Sequence, residues 1–564
     1  MKSTIDQHSL LLQTIEAREG SYNPQIRMLG SPFSSPGYHT TIKQAETIHS
    51  TYKSIVYALG LLDTEEERYE RRAFDIIEQL AGMQDKDPAS ATFGIWSWFY
   101  EEPLEKMSPP DWNWADFCGK VLVLAVLRHG HRFPASLLEE VRETIGNACD
   151  AIIRRNVGPE YTNIAIMGTL VTLIAGELYE REDYTSYGLR RLERIAAFTR
   201  ERQTFQEYNS PTYTYIALLE LSKLSTSTRN PEAKRIAGEL IDMAWASVAE
   251  HFHAATRNWA GPHSRCYRTL LSDEHKAFLQ LATEGALSFF PWEELPYEEG
   301  WYGIGFRCPE RFRAQFLTAE VRDIRECYEP ASGGEPDKWA VTHMTETYAL
   351  GSFSREILWN QRRALLLYAD NGGEPTYAHF RCLHDGYDFC SAILHSAQEG
   401  GELLFGVSFI TNGGDTHPNL DRTEGEIEAA DFRLRLELGG CLERVEADVQ
   451  GSRATVRIGG LTLRLDCGYA VFGEELPREW SVQSDEKDGR LFVDLPIYAG
   501  QPKRIDLRAL DQAAFLFALS VDGEEGSEAP QISSRADRLE ARVQRGGREL
   551  AVTLPLRPVE RAGR

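Results

Sequence analysis

From the start of the chain to about residue 325, apolar positions recur with the helical spacing and are separated by short polar connections punctuated by Gly and Pro. The pattern predicts helices over 117–127, 135–155, 160–180, 183–200, 211–224, 231–253 and 264–282. Thr64-Glu-Glu-Glu67 has the form of a capping box ahead of an amphipathic stretch that runs through Ile76, Ile77 and Leu80 to Met83. Helices of similar length joined by short loops are expected to stack as hairpins.

Near residue 340 the period changes to two. Alternation marks strands at 347–354, 364–369, 403–410, 432–438, 454–458, 461–465, 490–495, 514–519, 539–543 and 550–554, with turn residues between them. Such a series predicts an antiparallel sandwich. The expected organisation is a helical domain over 1–330 followed by an all-β domain over 331–564, with a frayed tail from Arg557 to Arg564.

Composition narrows the function classes. At 564 residues the chain is too long for one ordinary core, and 42% hydrophobic residues fit globular protein rather than disorder. A formal net charge of −24 excludes nucleic acid as a partner and weighs against a densely sulfated polyanion. A ligand with one carboxylate per sugar or two stays compatible if a few arginines form a local positive pocket. The apolar stretch Ile164–Ala175 is too short to span a bilayer, so no membrane partner is expected. The first residues lack the apolar region of a secretory signal, which points to the cytoplasm, or to secretion if a leader was removed. Nine cysteines without a CxxC pair read as free buried thiols.

Chemistry concentrates in four segments of the helical half. The first is Trp96-Ser-Trp98 with Asp111-Trp112-Asn113-Trp114-Ala-Asp116, and the second is Glu160-Tyr-Thr-Asn163. The third is Glu207-Tyr-Asn209-Ser-Pro-Thr-Tyr213-Thr-Tyr215, and the fourth is Asn258-Trp259-Ala-Gly-Pro-His263-Ser-Arg265-Cys-Tyr267. Indole rings stack on sugar faces and amides bind hydroxyls, so the set of four suits carbohydrate, although any one tryptophan taken alone is better explained as core. Ser210 and Pro211 suit a helix start that places Tyr213 in the first turn, where the helix dipole favours a phenolate. The alternative is that Tyr213 and Tyr215 are half-buried helix tyrosines. A helix beginning near Pro262 would put His263 and Tyr267 on one face, with Arg265 free to grip a carboxylate. No GxSxG, HExxH or Gly-rich phosphate loop is present, and the histidines of Ala378–Asp388 have no diagnostic metal spacing.

With the helix-start Asn163, the Ser-Pro-Thr-Tyr213 segment about 50 residues on, and histidines among the first β elements, the chain resembles the heparinase II/III-like and alginate-lyase-like polysaccharide lyases. The resemblance implies an incomplete (α/α) toroid followed by an antiparallel β-sandwich, and β-elimination of a uronic-acid glycan. It assigns Asn163 as the amide that neutralises the carboxylate and Tyr213 as the catalytic tyrosine. It assigns a β-domain histidine as acid or base, His343 first and His384 as its rival, with His263 as a further catalytic candidate. Arg265, Tyr267, Asn209, Tyr215, Trp112, Asn113 and Trp259 are then expected to bind substrate. No cofactor is required, and a structural metal in the β domain has no clear motif behind it. The expected substrate is an unsulfated, glucuronate-containing oligo- or polysaccharide, acted on by a monomer or homodimer. The sequence departs from the family in placing Ile164 after Asn163, where many relatives have His, and in lacking their compact H-x-H-x-D signature. Two other readings remain: a glycoside hydrolase using Asp111, Asp116 and Glu207, and a non-catalytic carbohydrate-binding protein.

Overall fold

The computed structural model describes residues 6–35, 39–332, 335–485, 487–523, 528–545 and 547–561. Its helices are α1 (Gln7–Arg18), α2 (Thr51–Asp63), α3 (Glu67–Met83), α4 (Trp114–His129), α5 (Ala135–Arg155), α6 (Thr162–Tyr179), α7 (Glu182–Arg202), α8 (Pro211–Ser227), α9 (Pro231–His251) and α10 (Asp273–Ala282). Antiparallel sheets follow from Arg322 onward. The chain divides into two compact units, one of Met1–Glu201, Tyr215–Trp245 and Asp273–Pro309, the other of Arg202–Thr214, Ala246–Ser272 and Glu310–Arg564. The division is not a single cut near residue 330, because two excursions of the helical half belong with the strands.

In the first unit, α2, α4 and α6 are buried around most of their circumference, whereas α3, α5 and α7 bury only a stripe. Helix α4 packs on both α2 and α6, and α3 packs on α5, which gives an inner and an outer layer of hairpins. The inner helices start side by side. Asn113, just before α4, donates to the hydroxyl of Tyr161, just before α6, at 3.3 Å. The ring of Tyr52 at the start of α2 meets Trp114 and Phe117 at the start of α4. Helix α6 is 18 residues long and apolar enough to cross a membrane by length and composition, yet 83% of it is buried inside the structure, which makes it a core helix.

Two helix boundaries differ from the sequence pattern for local reasons. Thr64 closes α2 instead of opening α3: its hydroxyl donates to Leu61 O at 2.7 Å, and α3 starts at Glu67, with Glu66 at its N-cap position making no side-chain capping bond. The stretch expected as a helix over 264–282 is helical only from Asp273. Before that point its backbone bonds go to a neighbouring segment, with His263 N donating to Arg363 O and Arg363 N donating to His263 O. His263 and Tyr267 therefore do not share a helical face.

The second unit is a sandwich with an added layer. One sheet runs in the order Ser481–Asp485, Arg490–Asp506, Glu426–Gly440, Pro375–His384, Leu365–Asp370, Tyr348–Phe353, Lys338–Met344, Arg322–Glu329. The other runs Val445–Gln450, Arg453–Ile458, Leu461–Phe472, Ala513–Val521, Glu402–Phe409, Ala392–Glu399, Arg355–Ile357. Phe380 of the first sheet meets Phe405 of the second edge to face, and Phe405 stacks on Phe517. The opposite face of the second sheet, through Leu404, Ala514 and Leu516, is covered by Leu539, Val543, Val552 and Leu554 of the three strands Gln531–Pro555. Covering on both faces explains why Glu402–Phe409 and Ala513–Val521 are nearly continuous apolar runs. The strand Arg322–Glu329 begins earlier than the alternation suggested because it is a partly exposed edge with polar side chains. The tail is held as far as Arg561: Val559 O accepts from Thr411 N, and Asn412 bonds the backbone of Arg561.

Inside the first unit, Lys120 of α4 and Lys223 of α8 both donate to one oxygen of Glu220, at 2.7 and 2.8 Å, and all three are buried. Burial works against the Glu220 charge, but the two ammonium groups outweigh it and hold the carboxyl below its ordinary range. Glu220→Gln leaves two buried cations without their counter-charge. It should lower the free energy of denaturant unfolding by about 3–5 kcal/mol at neutral pH; a loss under about 1 kcal/mol would mean that water already solvates the lysines.

Candidate functional site

The densest convergence of predicted residues lies wholly within the second unit. It is built by the loop that leads into α8, by the irregular segment 258–272, and by the loop 358–364 between two strands. Ser210 joins the first two. Its hydroxyl oxygen accepts from Tyr213 N at 3.0 Å, capping α8, and its proton goes to Arg265 O at 2.6 Å. Asn209, in the left-handed conformation at φ 43°, reinforces the joint. Its amide nitrogen donates to Ala260 O and Pro262 O, its side-chain oxygen accepts from Trp259 Nε1 at 2.6 Å, and its backbone carbonyl accepts from His263 Nδ1 at 2.6 Å. The third loop is laced to the second by Cys266 N donating to Gln361 O and Arg362 Nε donating to Ser264 O.

This framework presents one cationic and two phenolic groups together. Arg265 Nη2 lies 2.9 Å from the Tyr213 hydroxyl, 2.9 Å from Gln361 Oε1 and 3.5 Å from the Tyr267 hydroxyl. The two tyrosine oxygens are 2.9 Å apart. The guanidinium carbon sits 4.8 Å from the centre of the Tyr213 ring and 5.0 Å from that of Trp359, so it is held between two aromatic faces. Burial pushes the Tyr213 hydroxyl pKa well above the ordinary phenol value; Arg265 opposes the shift, and Tyr267 and Glu207 add to it. The helix start alone therefore does not make Tyr213 a phenolate, as the sequence had suggested; in the unliganded protein it is a neutral phenol beside a cation.

The other predicted residues divide between this cluster and elsewhere. Asn209, Trp259 and His263 belong to the framework: Trp259 and His263 are buried, and burial lowers the His263 pKa to about 3, so it is neutral, with Nε2 unpartnered among the described residues. His343 does not join the cluster. It follows Thr342, whose hydroxyl donates to Gly261 O, and strand alternation turns it to the opposite face, where Nδ1 pairs with Asp323 at 2.7 Å. Both His384 nitrogens are engaged, by Asp415 at 2.8 Å and by Glu428 O at 3.0 Å. Among the described residues no group of three His, Cys, Asp or Glu could hold a metal ion.

Asn163, Trp112, Asn113 and Tyr215 belong to the first unit. Tyr215 is taken up by its core, donating to Glu274 at 2.8 Å and accepting from Trp301 Nε1 at 2.9 Å. Trp112 is 39% exposed and donates to Ala91 O. Asn113 bridges Tyr161 and Arg155. Asn163 is 3% exposed in the first turn of α6, and its side-chain oxygen has no partner among the described residues. The same holds for Trp114 Nε1, Asp116 Oδ1 and Thr162 Oγ1, which lie at the adjacent starts of α4 and α6. Buried polar atoms of this kind are expected to be satisfied by water or by a ligand. Trp98 stacks on Trp114 at the same helix starts, with ring centres 5.2 Å apart.

Sequence reasoning missed Trp359 and Gln361. The signal was available: Trp359-Asn-Gln-Arg repeats the pattern of a tryptophan beside amide and guanidinium groups that marked the helical segments, but it lies among strands.

A family model described as a domain of unknown function (DUF8769) matches residues 9–283. No curated protein matches the chain. Among solved structures, heparinase III is 11% identical with a TM-score of 0.40, over 90% of this chain and 82% of that one. A heparan sulfate lyase HepC mutant from Pedobacter heparinus is 12% identical with a TM-score of 0.31, over 90% and 81%. Salmonella alpha-2-macroglobulin reacted with methylamine is 13% identical with a TM-score of 0.24, over 91% and 30%. Likenesses this distant carry no weight for function.

Asn209→Ala removes partners from an indole N–H and two carbonyls and places alanine at a positive φ. It should cost about 2–4 kcal/mol of stability, read from the denaturant midpoint. A cost below about 1 kcal/mol would show that the segment holds its shape without this amide.

Proposed function

We propose that the chain is a lyase that cleaves a uronic-acid glycan by β-elimination. The observation that supports this most is the hydrogen bond from the Arg265 guanidinium to the Tyr213 hydroxyl at the start of α8. The hydrogen at C5 of a uronate is a very weak acid, because its removal puts a second negative charge beside the carboxylate. A base must therefore lie beside groups that take up charge as it develops. Tyr213 takes the C5 proton as a phenolate that Arg265 stabilises. The electron pair forms the C4=C5 double bond, the C4–O4 bond breaks, and Tyr213 returns the proton to O4.

Within the first unit, Asn163 is the candidate amide toward a carboxylate and exposed Trp112 the candidate ring toward a sugar face. The chain's overall negative charge favours an unsulfated glycan, such as glucuronate joined to a neutral sugar. His343, turned to the strand face opposite the one that meets Gly261, and His384, with both nitrogens engaged, are left out of the chemistry.

One observation favours a hydrolase instead. Burial raises the Asp116 carboxyl pKa to about 7 despite nearby Arg191 and Arg155, and a carboxyl in that range suits a general acid. The products separate the two readings, since only elimination yields a C4=C5 double bond conjugated to the carboxylate.

A panel of unsulfated and sulfated uronic-acid glycans, followed by ultraviolet absorbance, tests the proposal. Absorbance should grow with an unsulfated member, and Tyr213→Phe should reduce kcat/KM by about 10²–10⁴-fold. New reducing ends without absorbance, lost in Asp116→Asn and kept in Tyr213→Phe, would establish the hydrolase.

A further inference from the structure

Tyr213 is poorly placed to lose a proton by itself. It is half-buried, Glu207 adds negative charge nearby, and its oxygen already accepts from Arg265. The Tyr267 oxygen lies 2.9 Å from it, and either hydroxyl can donate to the other. Tyr267 is 53% exposed. The groups thus form a continuous chain from the Arg265 N–H through the Tyr213 and Tyr267 hydroxyls to the exposed side of Tyr267. Gln361 fixes the guanidinium at the inner end, where it lies nearer to Tyr213 than to Tyr267.

We infer that Tyr267 acts through Tyr213, as the proton exit by which Tyr213 is ionised; this rests on the lyase reading above. Tyr267 first gives its proton to solvent, where water hydrates the new phenolate. When substrate covers the site, the Tyr213 proton crosses to the Tyr267 oxygen, and the negative charge moves to Tyr213 beside the guanidinium. Tyr213 then takes the C5 proton. One proton leaves to water in the charging step, one moves between the phenols, and one goes from C5 through Tyr213 to O4. Among the described residues, the charged groups that act on Tyr213 include Arg265 and Glu207.

The test uses the full chain in two arms. In the first, kcat/KM on the responsive glycan is followed against pH. Tyr267→Phe should lose about tenfold or more near neutral pH, with its ascending limb moved to higher pH. Tyr267→His, which restores a titratable group, should recover much of the neutral-pH rate. An unmoved limb in Tyr267→Phe overturns the inference. The second arm needs no substrate: phenolate absorbance is titrated from about pH 7 to about pH 11. Because the two hydroxyls share a hydrogen bond, Tyr267→Phe should remove one phenol and also displace the ionisation of Tyr213. If each of Tyr267→Phe and Tyr213→Phe removes one phenol and leaves the rest of the curve unmoved, the two are not coupled and Tyr267 is not the exit. Because this arm reads the tyrosines directly, it still decides the point if every glycan proves inert and the lyase reading fails.

Discussion

A single hydroxyl determines where the chemistry of the second unit can sit. Ser210 accepts from Tyr213 N and donates to Arg265 O, so one side chain fixes both the start of α8 and the backbone that carries the arginine. Separate loops would place a phenol and a guanidinium together only at a cost in conformational entropy. Here that cost is met in folding, by the cap and by the four hydrogen bonds around Asn209. The arginine reaches Tyr213 already oriented, with Gln361 and the Trp359 ring restricting its rotamers. Preorganisation of this kind is what a proton abstraction from carbon requires, since donors that had to reorient during the reaction would give back much of their benefit.

The same site holds an unresolved opposition between burial and charge. Burial keeps Tyr213 neutral in the resting protein, while the adjacent cation favours its ionised form. In the proposed elimination such a base is held in reserve: it stays protonated until its proton has somewhere to go, and its phenolate, once formed, is strong enough to attack a weak carbon acid. Tyr267, exposed at the outer end of the chain of hydroxyls, provides the route. In the first unit the paired starts of α4 and α6 leave buried polar atoms of Trp114, Asp116, Thr162 and Asn163 without partners among the described residues, which marks a second place where a polar ligand or water is expected.

Much of the fold was legible because burial leaves periodic traces. Helix α5 was readable to the residue from its helical spacing, and the strand expected at 514–519 falls within Ala513–Val521. Residues 264–272 were misread because their apolar and polar positions imitate a helix, while Ser264 N and Cys266 N donate to Tyr208 O and Gln361 O, far away in sequence. Local pattern does not report a long-range partner. The site was legible in part for the same reason. Tyr213, Arg265 and Tyr267 stood out as residue types suited to the chemistry, yet the grouping of the three depends on Ser210 and Gln361, whose roles appear only in three dimensions. His343 looked eligible by type and region, and alternation along its strand turned it away from the face that meets Gly261.

The contact between Arg265 and Tyr213 is the claim on which the account turns, and the pH dependence of kcat/KM in Arg265→Gln tests it most directly. Removing the cation takes away the principal influence that lowers the Tyr213 pKa. The ascending limb of the profile should therefore move to higher pH by at least about one unit, with the rate recovering as alkali supplies the phenolate. A rate reduced by the same factor at every pH, with the limb unmoved, would mean that Arg265 only binds substrate and that Tyr213 is not ionised through it.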